Sequence, residues 1–263
     1  MLSIIIPSYL DKDLQRTIDG LRQNARGDIE IVAVLDGYDD AITGAKVVRN
    51  SQRLGMRGAI NNGVAASRGE YILKCDAHCT FDEGYDVKLL SNIEENWIVV
   101  PRRYKLNTDN WTLYEDPPID YEKLIINRPD RICGTEWKSR AEERKDILLD
   151  ETMVFQGSCY VLSRKHWEWL GGLEEEGYGT FTQEPIEICL KTWLGGGKVM
   201  VNKNTWYSHK HRKYGRTWKF SRSRDIDPGN IYSRDFWLNN RWTERVYDLK
   251  WLFDRFQLDY NPS

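Results

Sequence analysis

Short apolar runs alternate with helix-spaced segments through the first hundred residues, and this rhythm restricts the fold more than any other feature. "SIIIPSY" is a β-rich run ended by Pro7. Residues 13–24 carry Leu14, Ile18 and Leu21 at helical spacing. "IEIVAVLDG" predicts a second buried strand ended by Asp36-Gly37, and "AKVVRN" a short third one. "GMRGAINNGVAAS" predicts a helix after Gly55 and "EYILKCDAH" a fourth strand. "DVKLLSNIEEN" then predicts a helix and "WIVVPRR" a fifth strand. Repeated β-α-β units predict an α/β fold, Rossmann-like, with a mostly parallel central sheet and helices on both faces. In such sheets ligands bind beyond the carboxyl ends of the strands. Asp36 and Asp76 stand at two such ends.

From residue 102 to 150 the rhythm fades. "YKLNTDNWTLYEDPPIDYEKL" mixes Pro, Asp, Tyr and Trp, and a long irregular segment in a compact domain is usually either a functional loop or disordered. Its aromatics predict an ordered surface that meets a substrate. Order returns at "ETMVFQGSCYVLSRKHWEWLGGL", a strand and then a short helix stopped by Gly171-Gly172. "QEPIEICLKTWLGGG" predicts a helix with Ile186, Cys189, Leu190 and Trp193 on one face, and "KVMVN" a last strand. From Lys203 to Arg224 eight basic residues meet no acidic one, with Trp206, Tyr207, Tyr214, Trp218 and Phe220 between them.

The chain as a whole is nearly neutral, with 38 basic and 40 acidic residues, which predicts no global attraction to nucleic acid or membrane. No apolar stretch approaches the ~18 residues a membrane helix needs. The N-terminus lacks a signal peptide pattern. Five cysteines without a CxxC pair argue against a disulfide framework and for a reducing cytoplasm. Zinc on Cys75 and Cys79 lacks the second ligand pair that such sites show.

The pair Asp76 and His78 in "CDAHC" is the strongest chemical signal. In an extended segment, residues two apart share a side. A carboxylate and an imidazole there could meet one divalent ion, and Mn²⁺ tolerates such mixed ligation. From these residues alone, a capping aspartate and a solvated histidine fit as well.

"SIIIPSY", "VLDG", "NSQRLGMRGAINNGVAASRGEYILKCDAHC" and "QGSCYVLSRKHWEWLGG" together resemble family-2-type glycosyltransferases of the GT-A fold. The Asp-x-His form is similar to the metal motif of the polypeptide N-acetylgalactosaminyltransferases. "FTQEPIEICLKTWLGGG" resembles that family's Glu-rich helix, and "WYSHKHRK" its His-x-x-Arg segment. The resemblance spans roughly residues 2 to 213. It implies a GT-A domain over 1–215, with a nucleotide-binding half (1–101) and an acceptor and catalytic half (102–215). Residues 216–263 would form a helical, aromatic extension.

The resemblance further implies a UDP-sugar donor and Mn²⁺ or Mg²⁺ as cofactor. Asp76, His78 and His209 would hold the ion, and Arg212 the diphosphate. Pro7 and Tyr9 would border the base, and Asp36 would bind the uridine part. Arg53, Gly55 and Arg57 would lie near the nucleotide. Gln156, Gly157 and Ser158 would line the floor by the donor sugar. Glu184 and Glu187 would contact sugar or acceptor. Simpler readings stay open for several of them. Asp36 could cap the turn at Gly37, Arg53 and Arg57 could be surface charges, and Glu187 could be solvated. Glu184 stands at a helix start, where a carboxylate is favourable anyway. His211 competes with His209, which keeps the three-residue spacing to Arg212.

The family's Trp-Gly-Gly-Glu-Asn becomes "FTQEP" here, so Phe181 and Gln183 leave the donor sugar open. The family's membrane anchor and lectin domain have no counterpart in the sequence. The expectation is therefore a cytoplasmic transferase of a bacterium or a virus-infected cell, and the resemblance implies that it retains anomeric configuration. Its acceptor would be a hydroxymethylated pyrimidine in viral DNA, approached through the Lys203–Arg224 stretch. Polysaccharide, lipid-linked sugar and protein Ser/Thr are the alternative acceptors. The alternative of another class is a non-catalytic module that binds nucleotide sugar or nucleic acid.

Overall fold

The computed structural model describes residues 1–210 and 227–262. The early rhythm becomes β1 (Leu2–Ser8), α1 (Leu14–Asn24), β2 (Ile29–Asp36), β3 (Lys46–Asn50), α2 (Gly55–Ala66) and β4 (Tyr71–Cys75). Then follow β5 (Cys79–Phe81), α3 (Tyr85–Leu90), β6 (Trp97–Asn107) and β7 (Thr112–Leu113). The middle of the chain forms β8 (Glu122–Ile125), β9 (Cys133–Glu136), α4 (Lys138–Glu143) and β10 (Leu149–Glu151). The last elements are β11 (Cys159–Ser163), α5 (Arg164–Leu170), α6 (Glu184–Leu194), β12 (Lys198–Lys210), α7 (Asp227–Leu238) and α8 (Leu249–Arg255).

The main sheet runs in the order β10-β12-β6-β11-β4-β1-β2-β3. Its β4-β1-β2-β3 half is wholly parallel. Beside it, β11 lies antiparallel to both β4 and β6, and β12 runs parallel to β6. Strand β1 is buried on both faces, which is why it reads as a continuous apolar run. Its alternation sends Ile4 and Ile6 to the core shared with Leu14 and Ile18 of α1. Ile5 joins Ala59 and Ile60 of α2 in the other core. Each such side chain contributes about 1.5–3 kcal/mol by leaving water. Helix α2 lies so close to the sheet that a Cβ on Gly63 would stand 2.4 Å from Ile5 Cγ2. The C-terminal helices close the α2 side. Trp237, Leu252 and Phe253 join the core of Trp193, and the Phe256 ring meets Trp193 edge-on at 5.4 Å.

Several elements differ from the sequence expectation. The helix expected over "DVKLLSNIEEN" is only the six residues of α3. Asp76-Ala77-His78 form a bend between β4 and β5, not extended strand. The segment 102–150 is more regular than expected, because β6 continues to Asn107 and β8 pairs antiparallel with β9. The last strand continues well past "KVMVN" to Lys210, through a register shift between Asn202 and Trp206. That continuation lays His209 beside Cys79 of β5.

Candidate active site

A cavity of about 500 Å³ opens beyond the carboxyl ends of β1, β2 and β4. Pro7, Tyr9, Asp36, Arg53, Gly55, Asp76, His78, Gln156 and His209 all line it. Arg57, Gly157, Glu184 and Glu187 lie outside its lining. Arg212 and the competing His211 fall outside the described residues.

Asp76, His78 and His209 turn one ligand atom each toward a common point, all within 4.8 Å of one another. His209 Nε2 stands 3.1 Å from Asp76 Oδ2 and 3.0 Å from His78 Nε2. On the far side of its ring, His78 Nδ1 meets Asp11 Oδ2 at 2.8 Å. If Nδ1 donates to that carboxylate, Nε2 is left as a lone pair. Burial pushes His209 down to about 4, against the pull of Asp76, so this imidazole is neutral near pH 7. Burial alone would raise Asp76, but Lys74 and then His209 outweigh it and hold the carboxyl far below the usual range. An ionised carboxylate and two imidazoles converging on a cavity fit a borderline divalent cation such as Mn²⁺.

The nucleotide side is built on the first βαβ unit. Arg53 lays its guanidinium 4.1 Å from the Tyr9 ring centre, and Tyr38 meets Tyr9 edge-on at 6.3 Å. Asp36 ends β2 with both oxygens engaged. Oδ1 accepts from Asn50 Nδ2 at 2.9 Å and Leu54 N at 2.8 Å, and Oδ2 from Gly55 N at 2.8 Å. Asp36 thus fixes the start of α2 while its edge faces the cavity. Gly55 has φ +86°, and a Cβ there would fall 2.3 Å from Thr180 Cβ. This close approach brings the 180–181 segment, and Phe181 with it, to the cavity wall.

Arg57 and Glu187 face inward instead. Both are fully buried and ion-paired to each other. Arg57 also donates to Glu174 O at 2.6 Å and Thr182 O at 2.7 Å, and burial lowers it to about 10. Glu187 Oε1 pairs with Lys191 Nζ at 2.8 Å. Glu184 is equally buried, yet neither of its oxygens has a hydrogen bond among the described residues. Burial raises its pKa, opposed first by Lys74.

Three residues of this region are absent from the sequence expectation. Lys74 bonds Asp76 Oδ1 at 2.7 Å, and Asp11 bonds His78. Arg103 lines the cavity and links Gln156 Oε1 at 2.8 Å to Glu122 Oε1 at 2.6 Å. Lys74 was detectable as a lone charge in the apolar run "YILKC". Asp11 follows the end of β1 and Arg103 lies within β6, neither with any local mark.

The profile of the family described as "Glycosyl transferase family 2" matches residues 3–170. The chain belongs to that family. Among curated relatives, mouse polypeptide N-acetylgalactosaminyltransferase 3 is 28% identical over 174 residues, covering 64% of this chain and 27% of that protein. Mouse polypeptide N-acetylgalactosaminyltransferase 12 is 23% identical over 231 residues, covering 80% of this chain and 38% of that protein. The chain thus spans well under half the length of these relatives. GalNAc-T7, solved with UDP, GalNAc and Mn²⁺, superposes with a TM-score of 0.74 at 19% identity, over 92% of this chain and 48% of that one. The mannosyltransferase PcManGT from Pyrobaculum calidifontis, solved with GDP-Man and Mn²⁺, gives 0.55 at 15% identity, over 81% and 58%. The fold is that of GT-A glycosyltransferases, a mixed sheet with a wholly parallel first half. No helix among the described residues is long and apolar enough to cross a membrane.

Proposed function

We propose that the chain is a metal-dependent glycosyltransferase that moves a sugar from UDP to an acceptor hydroxyl with retention at the anomeric carbon. The observation that carries this reading is the convergence of Asp76, His78 and His209 on the cavity beside Tyr9 and Arg53. A divalent ion held by these three residues supplies Lewis-acid neutralisation of the leaving diphosphate. Tyr9 and Arg53 take the base and Asp36 braces the loop around it. Gln156 and Gly157 form the floor under the sugar. Arg212 adds a phosphate contact in this reading.

Retention by front-face attack breaks the bond from the anomeric carbon to the diphosphate and forms the acceptor bond on the same face. The acceptor proton passes to the departing phosphate oxygen. This scheme needs no protein nucleophile. In support, each carboxylate lining the cavity is already engaged: Asp11 with His78, Asp36 with the start of α2, Asp76 with Lys74 and His209. Glu184 stands just behind Gly157, where a Cβ would lie 3.2 Å from Glu184 Oε2. We assign it electrostatic support of the positive sugar. Glu187, spent on Arg57 and Lys191, acts through the packing of α6.

For the acceptor we carry a hydroxymethylated pyrimidine in DNA, supported by the basic and aromatic sequence of Lys203–Arg224. Within the described part of that stretch, Lys203 is buried and donates to Arg144 O at 2.7 Å, and Lys210 pairs with Asp13. The support thus rests on the residues beyond 210. The test incubates the protein with Mn²⁺, a panel of UDP-sugars, hydroxymethylated DNA and glycan acceptors, and weighs the products. Mn²⁺-dependent mass gain on DNA, lost steeply with added salt, bears the reading out. Gain only on glycan overturns the DNA acceptor, and no transfer from any UDP-sugar overturns the whole.

A further inference from the structure

Lys74 is a lysine in the middle of the sheet, 1% exposed, on the strand that leads into the metal motif. Its ammonium has three partners on three different elements. It donates to Asp76 Oδ1 at 2.7 Å, at the end of β4, and to Gly157 O at 2.6 Å, in the loop before β11. It stands 3.5 Å from Glu184 Oε1 at the start of α6. Strand β11 pairs with β4 in a register that places Tyr160 opposite Lys74. Burying an ammonium costs several kcal/mol unless it is paired, so this lysine is held by the site and holds the site in turn.

The two oxygens of Asp76 are divided. Oδ1 belongs to Lys74, and Oδ2 faces His209 and the common point of the three ligands. We propose that Lys74 is a positioning residue that keeps Asp76 a one-oxygen ligand and keeps the site's charge low, so that a bound cation retains more of its charge for the diphosphate. The inference rests on the metal-dependent reading above. It concerns what this chain adds to the ligand set, since the same ammonium ties that set to the sugar floor at Gly157 and to Glu184.

The proposal predicts two opposite changes in one variant. Without the ammonium, Asp76 turns both oxygens to the ion and the nearest positive charge is gone. Mn²⁺ should therefore bind Lys74→Met about tenfold tighter. Turnover should fall about tenfold or more, because the ion's charge is spent on Asp76 and the Gly157 floor has lost its tether. A role in packing alone predicts a lower melting temperature with unchanged Mn²⁺ affinity in the folded fraction.

The experiment measures Mn²⁺ affinity by electron paramagnetic resonance, kcat and KM for UDP-sugar hydrolysis or transfer, and melting temperature. The proteins are the wild type, Lys74→Met and the double variant Lys74→Met/Glu184→Gln. The double variant removes the carboxylate that Lys74→Met would leave unpaired, and covers the case in which the single variant does not fold. Tighter Mn²⁺ with slower turnover in folded Lys74→Met supports the proposal, as does tighter Mn²⁺ in the folded double variant, whose turnover also carries the loss of Glu184. Unchanged or weaker Mn²⁺ binding in a folded variant, beside a wild type that binds the ion, overturns the role of Lys74 alone. A wild type that binds no Mn²⁺ overturns the metal-site reading, and this inference with it.

Discussion

Two polar clusters lie on either side of the cavity wall, and both drew their members, Lys191 apart, from the same set of sequence candidates. In the first, Asp76, His78 and His209 converge on open space with ligand atoms facing one another. In the second, Arg57, Glu187 and Lys191 are sealed inside and satisfy one another. Both clusters gather polar and charged groups, the first at the cavity surface and the second sealed from water. They differ in unspent valence. Paired imidazole nitrogens turned toward a carboxylate leave room for a cation, whereas a guanidinium bonded to two carbonyls and a carboxylate leaves room for nothing. A charged residue beside a cavity is therefore a candidate for chemistry only when its partners do not already exhaust it.

The largest expected effect breaks the first cluster. Per folded molecule, Asp76→Ala should lower Mn²⁺-dependent transfer at least about a thousandfold, a loss far larger than the stability it costs by leaving Lys74 with only Gly157 O and Glu184 as partners. An active Asp76→Ala protein would remove the distinction between the clusters. Breaking the second should do the reverse. Arg57→Met leaves Glu187 buried opposite an apolar side chain and should cost about 3–5 kcal/mol of stability, read by urea titration. Per folded molecule, its kcat should stay close to that of the wild type.

A third test uses a buried histidine that belongs to neither cluster. His166 bonds Thr192 Oγ1 at 2.9 Å, and burial pushes it down to about 4 from 6.5. The unfolded chain takes the proton first, so stability is complete above pH 6.5 and is lost as pH falls from there toward 4. The loss at the acid end should reach about 3 kcal/mol, and His166→Gln should flatten it. Denaturant titrations at several pH values measure it, and an equal slope in both proteins contradicts the assignment. The smallest effect sharpens the first cluster. Asp11→Asn weakens the brace on His78 Nδ1 and should weaken Mn²⁺ binding about tenfold, by calorimetric titration, without a matching loss of stability.

The parallel half of the sheet was legible because its strands are apolar on both faces and each is followed by a punctuated helix. Asp36, Asp76 and His78 were legible for the same reason, since strand ends are marked by Gly or by a sudden change of polarity. What escaped depends on partners distant in the chain. The antiparallel course of β11 is set by its neighbours β4 and β6, and nothing within "CYVLS" declares direction. The apolar pattern of "KVMVN" stops at the polar run Asn202-Lys203-Asn204, where the register shifts, so the part of β12 that carries His209 lay beyond a visible break. The pairing of β8 with β9 hides in polar residues such as Glu122, whose partner is Arg103. Arg57 looked like a surface charge in a helix because its acceptors, Glu174, Thr182 and Glu187, come more than a hundred residues later. Gln183 takes φ +60° at the start of α6, where glycine would be at ease, and is held there by Asn230 at 2.8 Å.

The most direct measurement is a crystal of the protein grown with MnCl₂ and UDP, with anomalous scattering recorded at the manganese edge. The account predicts one strong peak within coordination distance of Asp76 Oδ2, His78 Nε2 and His209 Nε2, touching the UDP diphosphate, with Lys74 still on Asp76 Oδ1. A UDP molecule in the cavity with no manganese at those three atoms, or a manganese bound elsewhere, contradicts it.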